Sequence, residues 1–262
     1  MSNKKVTSME VAKLAGVSQS AVSRVFTPGA SSSEKTNKLV RKAATKLGYR
    51  PNILARSLIT GRSRIIGLVV AYLDNYFYPE ALELLSSALQ KKGYHVLIFM
   101  SGNKEGDIAD AVDEILDYQV DGIIAASVSM SSDLAKRCKS AGVPVVLFNR
   151  TQDDKRLSAV TSDNELGGQK VASFLLAGGH KRIGYIAGWE GASTQRDREK
   201  GFTEELQRNG HKLHSREVGN FNTDEARQAA RKMFSRQDFP DAVFIANDAM
   251  AIAVIDVIRF EI

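Results

Sequence analysis

Residues Ser8 to Thr27, SMEVAKLAGVSQSAVSRVFT, decide how the chain is read. Val11, Ala12, Leu14 and Ala15 set small or apolar side chains on one face at helical spacing. Gly16 supplies the left-handed backbone that a tight turn needs. Val17 is an apolar plug after the turn, and Ser18 is a good N-cap for a second helix. That helix buries Val22 and Val25 and turns Gln19, Ser20, Ser23 and Arg24 outward. Ala12, four residues before Gly16, lets the two helices cross closely. Such a pair is the helix-turn-helix layout, whose second helix enters the DNA major groove. The competing reading is an ordinary helical hairpin on a domain surface.

Charge is distributed unevenly around this stretch. Residues 1–64 carry 13 Lys and Arg against Glu10 and Glu34, a net +11, whereas the remaining 198 residues carry 23 basic and 28 acidic groups, a net −5. A small basic head on a mildly acidic body fits nucleic-acid binding followed by a separate domain. Phosphate neutralisation gives affinity without sequence information, so the charge alone means only a polyanion.

The head continues in the same vein. Thr27-Pro28-Gly29 ends the second helix with strong breakers. Ser31 to Ser33 offer N-caps for a third helix, Glu34 to Leu47, whose Val40, Ala43, Ala44 and Leu47 close a three-helix core. Lys35, Lys38, Arg41, Lys42 and Lys46 fill its other faces, and Gly48 is its C-cap. Pro51 is placed to open a further short helix that Gly61 ends. Leu54 and Leu58 lie one turn apart on it with little core to cover them. An apolar wedge in a DNA minor groove explains the pair; a linker helix packed on the body is the alternative.

From Ile65 onward apolar runs alternate with amphipathic segments. The runs are Ile65–Leu73, His95–Met100, Gly122–Ala126, Val143–Phe148, Ile183–Ala187 and Ala242–Ala246, with a short one near Ala159–Thr161. Helical patterns between them include Pro79–Lys92, Ile108–Tyr118, Leu134–Ser140, Leu166–Leu176 and Glu199–Asn209. Strand, helix, strand at this spacing predicts right-handed crossovers and parallel sheet. Polar and aromatic residues gather just after the strands, where open parallel sheets bind ligands: Asp74 to Phe77, Ser127, Asn149-Arg150, Asp163, Trp189 through Arg198, Phe221 and Asn247-Asp248. Singly, Phe77 reads as core and Asp163 as an N-cap. Together they suit a small polar ligand, a sugar or a nucleobase.

Length and composition exclude other classes. The 262 residues allow one small and one larger domain, and 43% hydrophobic content supplies a core. The single cysteine, Cys138, falls in a helical pattern as a quiet structural thiol, excludes a disulfide framework and suits a reducing compartment. There is no apolar run of membrane-spanning length, and Met1 to Lys5 is polar, so a cytoplasmic protein is expected with no membrane partner. No G-x-G-x-x-G, G-x-x-x-x-G-K-[ST] or G-x-S-x-G follows a strand, and His95, His180, His211 and His214 lack metal-ligand spacing. No catalytic group, metal or cofactor is expected.

VAKLAGVSQSAVSRV, KLGYRPNILARSL, RSRIIGLVV, GGHKRIGYIAG with the following RDREKGF, and FIANDAMAI together resemble bacterial transcription regulators of the lactose/galactose-repressor type, along the whole chain. The resemblance implies an all-α helix-turn-helix head (1–48), a hinge helix and linker (49–64) and an α/β body like periplasmic sugar-binding proteins (65–262), built of parallel sheets in two lobes. It implies DNA contacts from Ser18, Gln19, Ser20, Ser23 and Arg24, with Asn52, Ala55, Arg56 and the wedge Leu58 in the hinge. It implies effector contacts from Tyr76, Phe77, Asn149, Arg150, Asp163, Arg198, Phe221 and Asn247. Arg198 is the firmest, standing in R-x-x-G-F before Gly201-Phe202; an arginine without a fixed local partner is a natural clamp for a hydroxyl or carboxylate.

The implied partners are a palindromic double-stranded operator, a sugar, nucleoside or nucleobase effector, and a second copy in a homodimer. Effector in the cleft is expected to alter lobe closure and so the spacing of the heads. One departure is that members continue beyond the helix Ala249 to Phe260, so a shortened product with an incomplete second lobe is expected, leaving Ala251 to Ile258 partly uncovered. The alternatives are a sugar-binding transport protein, which the body alone supports, and a shortened regulator that does not function.

Overall fold

The computed structural model describes residues 6–27, 29–51, 61–71, 73, 77–101, 105–128, 131–152 and 157–262, with 105–107 described by backbone alone. The chain divides into two compact units, Met1–Ser63 and Arg64–Ile262.

In the first unit three helices close around one small core. Helix α1 (Ser8–Ala15) starts in a capping box: Thr7 Oγ1 accepts from the Glu10 N–H, and the Glu10 carboxylate accepts from the Thr7 N–H at 2.7 Å. It ends at Gly16, whose φ of 66° turns the chain sharply. Ser18 then caps α2 (Gln19–Val25) by accepting from the Ala21 N–H. Helix α3 (Glu34–Leu47) runs between the Ser33 cap and left-handed Gly48, with both ends where the sequence predicts them. Val11, Ala12, Val22, Val25, Val40, Ala43 and Ala44 form the core, with Val17 and Leu47 packed against it. Leu14 departs from expectation: it is 46% exposed, because it lies one position round the helix from the Val11–Ala15 line.

The second unit holds two parallel sheets. The first has order β2-β1-β3-β4-β5: β1 (Ile65–Val70), β2 (His95–Met100), β3 (Gly122–Ala126), β4 (Val145–Phe148) and β5 (Ser158–Val160). Helices α4 (Phe77–Lys91), α5 (Glu105–Asp117) and α6 (Ser132–Ser140) connect them. One face of this sheet packs Val69, Ile123 and Leu147 on Ile108, Val112 and Ile115 of α5 and on Leu134 and Cys138 of α6. The other packs Leu68 and Val70 on Tyr78 and Leu82 of α4. Cys138 is fully buried, and that burial pushes its thiol pKa up, as suits an inert structural cysteine.

The second sheet has order β7-β6-β8: β6 (Ile183–Ala187), β7 (Ser215–Val218) and β8 (Ala242–Ile245). Helices α7 (Asn164–Ala177), α8 (Ser193–Arg208), α9 (Thr223–Phe234) and α10 (Asp248–Phe260) cover it. Tyr185, Phe202 and Leu206 meet Met233, Met250 and Val254 in its core. Along α10, Met250, Ala253, Val254 and Val257 are buried while Ile252, Ile255 and Ile258 are exposed.

Two elements differ from the sequence reading. Strand β7 went unpredicted because SREV is not an apolar run; its inward Glu217 is buried and held by Lys232 and Arg236 at 2.8 and 2.6 Å. Helix α8 starts at Ser193, six residues before the predicted Glu199, so Ser193–Arg198 of the polar stretch that follows the strand is helical. Its polar first turn passes for loop in sequence, but Ser193, Thr194 and Gln195 are all buried.

Candidate functional site

On the first unit, the outer face of α2 carries Gln19, Ser20, Ser23 and Arg24, all exposed, above buried Val22 and Val25. Gln19 donates through Nε2 to Ser8 Oγ at 3.0 Å, which tethers the start of α2 to that of α1. Ser18 and Ser20 share a hydroxyl bond of 2.9 Å. Arg24 has no hydrogen bond or ion pair among the described residues, so its fork of donors is open to a base edge or a phosphate. Lys35, Lys38, Arg41, Lys42 and Lys46 on α3 are exposed as expected. The hinge candidates Asn52, Ala55, Arg56 and Leu58 lie outside the described residues, as does the effector candidate Tyr76.

In the second unit a cleft of about 370 Å³ opens between the carboxyl ends of the two sheets. Its walls include six of the predicted effector residues, Phe77, Asn149, Arg150, Arg198, Phe221 and Asn247. They also include residues the sequence reading left out of its effector set, among them Tyr78, Ser127, Asn164, Thr194 and Asp248. A larger hollow of about 510 Å³ lies beside α6 at the amino ends of β4 and β5, and is lined by Lys136, Lys139 and small apolar residues among others. Carboxyl strand ends supply converging polar groups and helix starts, so the smaller cleft is the chemically equipped one.

Backbone strain shapes this cleft. Ser127, Asn149 and Phe221 sit at φ of 57°, 64° and 58°, in the left-handed region that non-glycine residues seldom occupy. Phe221 is held there because its ring lies on Gly188, where any Cβ would overlap it. Phe77 stacks nearly parallel on Phe148, with centroids 6.0 Å apart, and is 46% exposed rather than core. Asn149 Nδ2 donates to the Tyr78 hydroxyl at 2.8 Å.

Two arginines face the cleft differently. Arg198, read as having no fixed local partner, donates to two groups far away in sequence, the Ala246 carbonyl and, at 2.7 Å, Asn164 Oδ1. Burial lowers its guanidinium pKa, its bonded acceptors being neutral. Its partners come from the ends of distant elements, which no local spacing reveals. Arg150 is 5% exposed and stacks on the Trp189 ring, 5.2 Å from the centroid. Asp163 does not line the cleft; its Oδ1 accepts from the Leu166 N–H as the N-cap of α7, and the next residue, Asn164, turns inward instead.

Behind the cleft a buried relay fixes the start of α8. Gln195, 1% exposed, accepts from the Tyr185 hydroxyl and the Gly188 N–H at 2.9 and 2.7 Å and donates to Glu199. Glu199 pairs with Arg216, which also reaches Glu190; these two carboxylates hold the Arg216 pKa above the usual arginine range. Tyr185 is pushed up by burial and stays a neutral donor. Thr151 on the first lobe donates its N–H to Ser193 Oγ on the second at 2.8 Å. Convergent donors, aromatic faces and fixed cations equip the cleft to hold and orient a small polar ligand.

Comparison with known proteins agrees with both halves. Residues 7–52 match the family described as bacterial regulatory proteins, lacI family, and residues 66–259 match the periplasmic binding protein domain. The HTH-type transcriptional repressor PurR of Vibrio vulnificus (strain CMCP6) is 30% identical over 95% of this chain and 75% of its own length. Catabolite control protein A of Priestia megaterium is 28% identical over 95% of this chain and 76% of its own. The lac repressor dimer bound to operator and the anti-inducer ONPF superposes with a TM-score of 0.87 at 27% identity, over 98% of this chain and 78% of that one. The chain belongs to the lacI family of bacterial regulatory proteins.

Proposed function

We propose that this chain is a sequence-specific transcriptional repressor that acts by binding and not by catalysis, and that a small sugar- or nucleoside-sized effector in the body cleft sets its hold on DNA. The carrying observation is one chain that joins an α2 face of exposed Gln19, Ser20, Ser23 and Arg24 to a two-walled cleft of convergent polar and aromatic groups. Arg24 reads a base, as arginine does bidentately at guanine, while Gln19 gives up its bond to Ser8 to reach adenine. One helix-turn-helix covers too little groove for tight binding, so two copies act on a palindrome; a dimer on operator is how the structurally similar lac repressor is described.

Selection from random palindromes across a salt series is the test. Enrichment of one palindrome supports the reading; salt-sensitive binding with no enrichment overturns it and leaves only a polycation. Arg24→Gln is expected to cost about 1–3 kcal/mol at one base pair and relax selection there. Leu58→Ala is expected to weaken operator affinity and DNA bending; unchanged values remove the hinge wedge from the mechanism.

A further inference from the structure

Of the two arginines among the described residues of the cleft, Arg150 is the less compensated. It is almost wholly buried and lines the cleft, yet its guanidinium finds neither a hydrogen-bond acceptor nor a carboxylate among the described residues. The Trp189 face attracts the cation but accepts none of its five N–H donors. Arg198 adds a second guanidinium whose hydrogen-bond acceptors, Ala246 O and Asn164 Oδ1, are both neutral. Ser127 Oγ is buried without a partner on the same wall. Against these stands the carboxylate of Asp248, which is exposed at the start of α10. A buried cation with no anion is costly unless something brings the anion.

We propose that the effector carries an anionic group, a carboxylate or a phosphate, which the Arg150 guanidinium binds bidentately while Ser127 donates its hydroxyl to the same ligand. Arg150 is thereby the residue that separates anionic effectors from neutral ones. The inference rests on the cleft being the effector site. A volume of 370 Å³ lies near the lower end of small-molecule sites, about 300–1,000 Å³, and fits a monosaccharide- or nucleoside-sized body.

Trp189 is the chain's single tryptophan and touches Arg150, so intrinsic emission of the full chain reports the site unlabelled. The probes are matched sets: glucose, glucuronate and glucose 6-phosphate, then adenosine and adenosine 5′-monophosphate. One anionic member is expected to bind about tenfold or more tightly than its neutral counterpart, and which arm responds separates carboxylate from phosphate. Arg150→Gln should cut that affinity about 10- to 100-fold while sparing the neutral member, and Arg150→Lys should restore part of it.

Equal affinity for neutral and anionic members, or an anion affinity untouched by Arg150→Gln, overturns the proposal. Neutral binding that Phe221→Ala abolishes leaves the cleft reading standing and sinks only the anion. Binding that neither variant alters sinks both. Melting in sodium phosphate and in sodium acetate, each against sodium chloride at equal ionic strength, covers ligands outside the panel. Wild type should gain more than Arg150→Gln by mass action in at least one of the two, and equal gains in both overturn the proposal.

Discussion

Gly188 and Phe221 show how much of the cleft depends on single side chains. The Phe221 ring occupies the space a Cβ would need at Gly188, and Phe221 holds a left-handed backbone that a bulky residue rarely adopts. Gly188 also gives its N–H to buried Gln195, so the glycine ties the aromatic wall to the start of α8. Gly188→Ala forces the ring off its seat. The expected result is a loss of about 1–3 kcal/mol in stability and a weakened effector response, with unchanged operator affinity when no effector is present. Thermal unfolding together with effector titrations of DNA binding checks this. Full retention of the effector response removes Phe221 from the binding wall. Nothing in a lone glycine after an apolar strand announces such a contact; it arises because β6 and β7 are neighbours in the sheet.

Elements were legible where one local rule governs them and obscure where a distant partner does. The caps of α1, α2 and α3 follow from Gly16, Ser18, Ser33 and Gly48, each acting within its own turn. Strands β1, β3 and β6 announce themselves as apolar runs because both faces of a parallel sheet are covered. Strand β7 does not, since Glu217 is made tolerable by Lys232 and Arg236 from farther along the chain. Asp163 and Asn164 are adjacent and similar in sequence, and only the phase of α7 decides that the first caps and the second meets Arg198. That phase is set by two glycines. A Cβ on Gly168 would overlap the Arg198 carbonyl, and one on Gly201 would overlap the Glu165 carbonyl, so α7 and α8 approach backbone to backbone. Gly201→Ala should therefore cost about 1–3 kcal/mol and separate Asn164 from Arg198. A drop in melting temperature with weaker effector binding is the expected reading; an unaltered melting curve means the helices do not need this closeness.

At the scale of the molecule, a basic head and a cleft in the body make a regulator only if binding at one changes binding at the other. Linkage requires the change to be mutual: the factor by which effector alters operator affinity equals the factor by which operator alters effector affinity. The lobes that form the cleft are joined by a bond that one substitution removes, Thr151 N–H to Ser193 Oγ, and Ser193 is buried where α8 begins. Ser193→Ala deletes the acceptor and leaves a half-buried N–H without it, a change of about 0.5–1.5 kcal/mol in the lobe arrangement that contains the bond. A ligand shifts a two-state equilibrium only by its differential affinity for the two states. Ser193→Ala is therefore expected to move operator affinity and effector affinity together, and to change the coupling factor, while leaving the salt dependence of operator binding as it was. Operator titrations with and without saturating effector, and effector titrations with and without saturating operator, give the four constants for each protein. Equal ratios in both directions place effector and operator on one linked equilibrium. If effector alters operator affinity with no reciprocal change in its own, the two are not linked through this chain, and control must enter through another component.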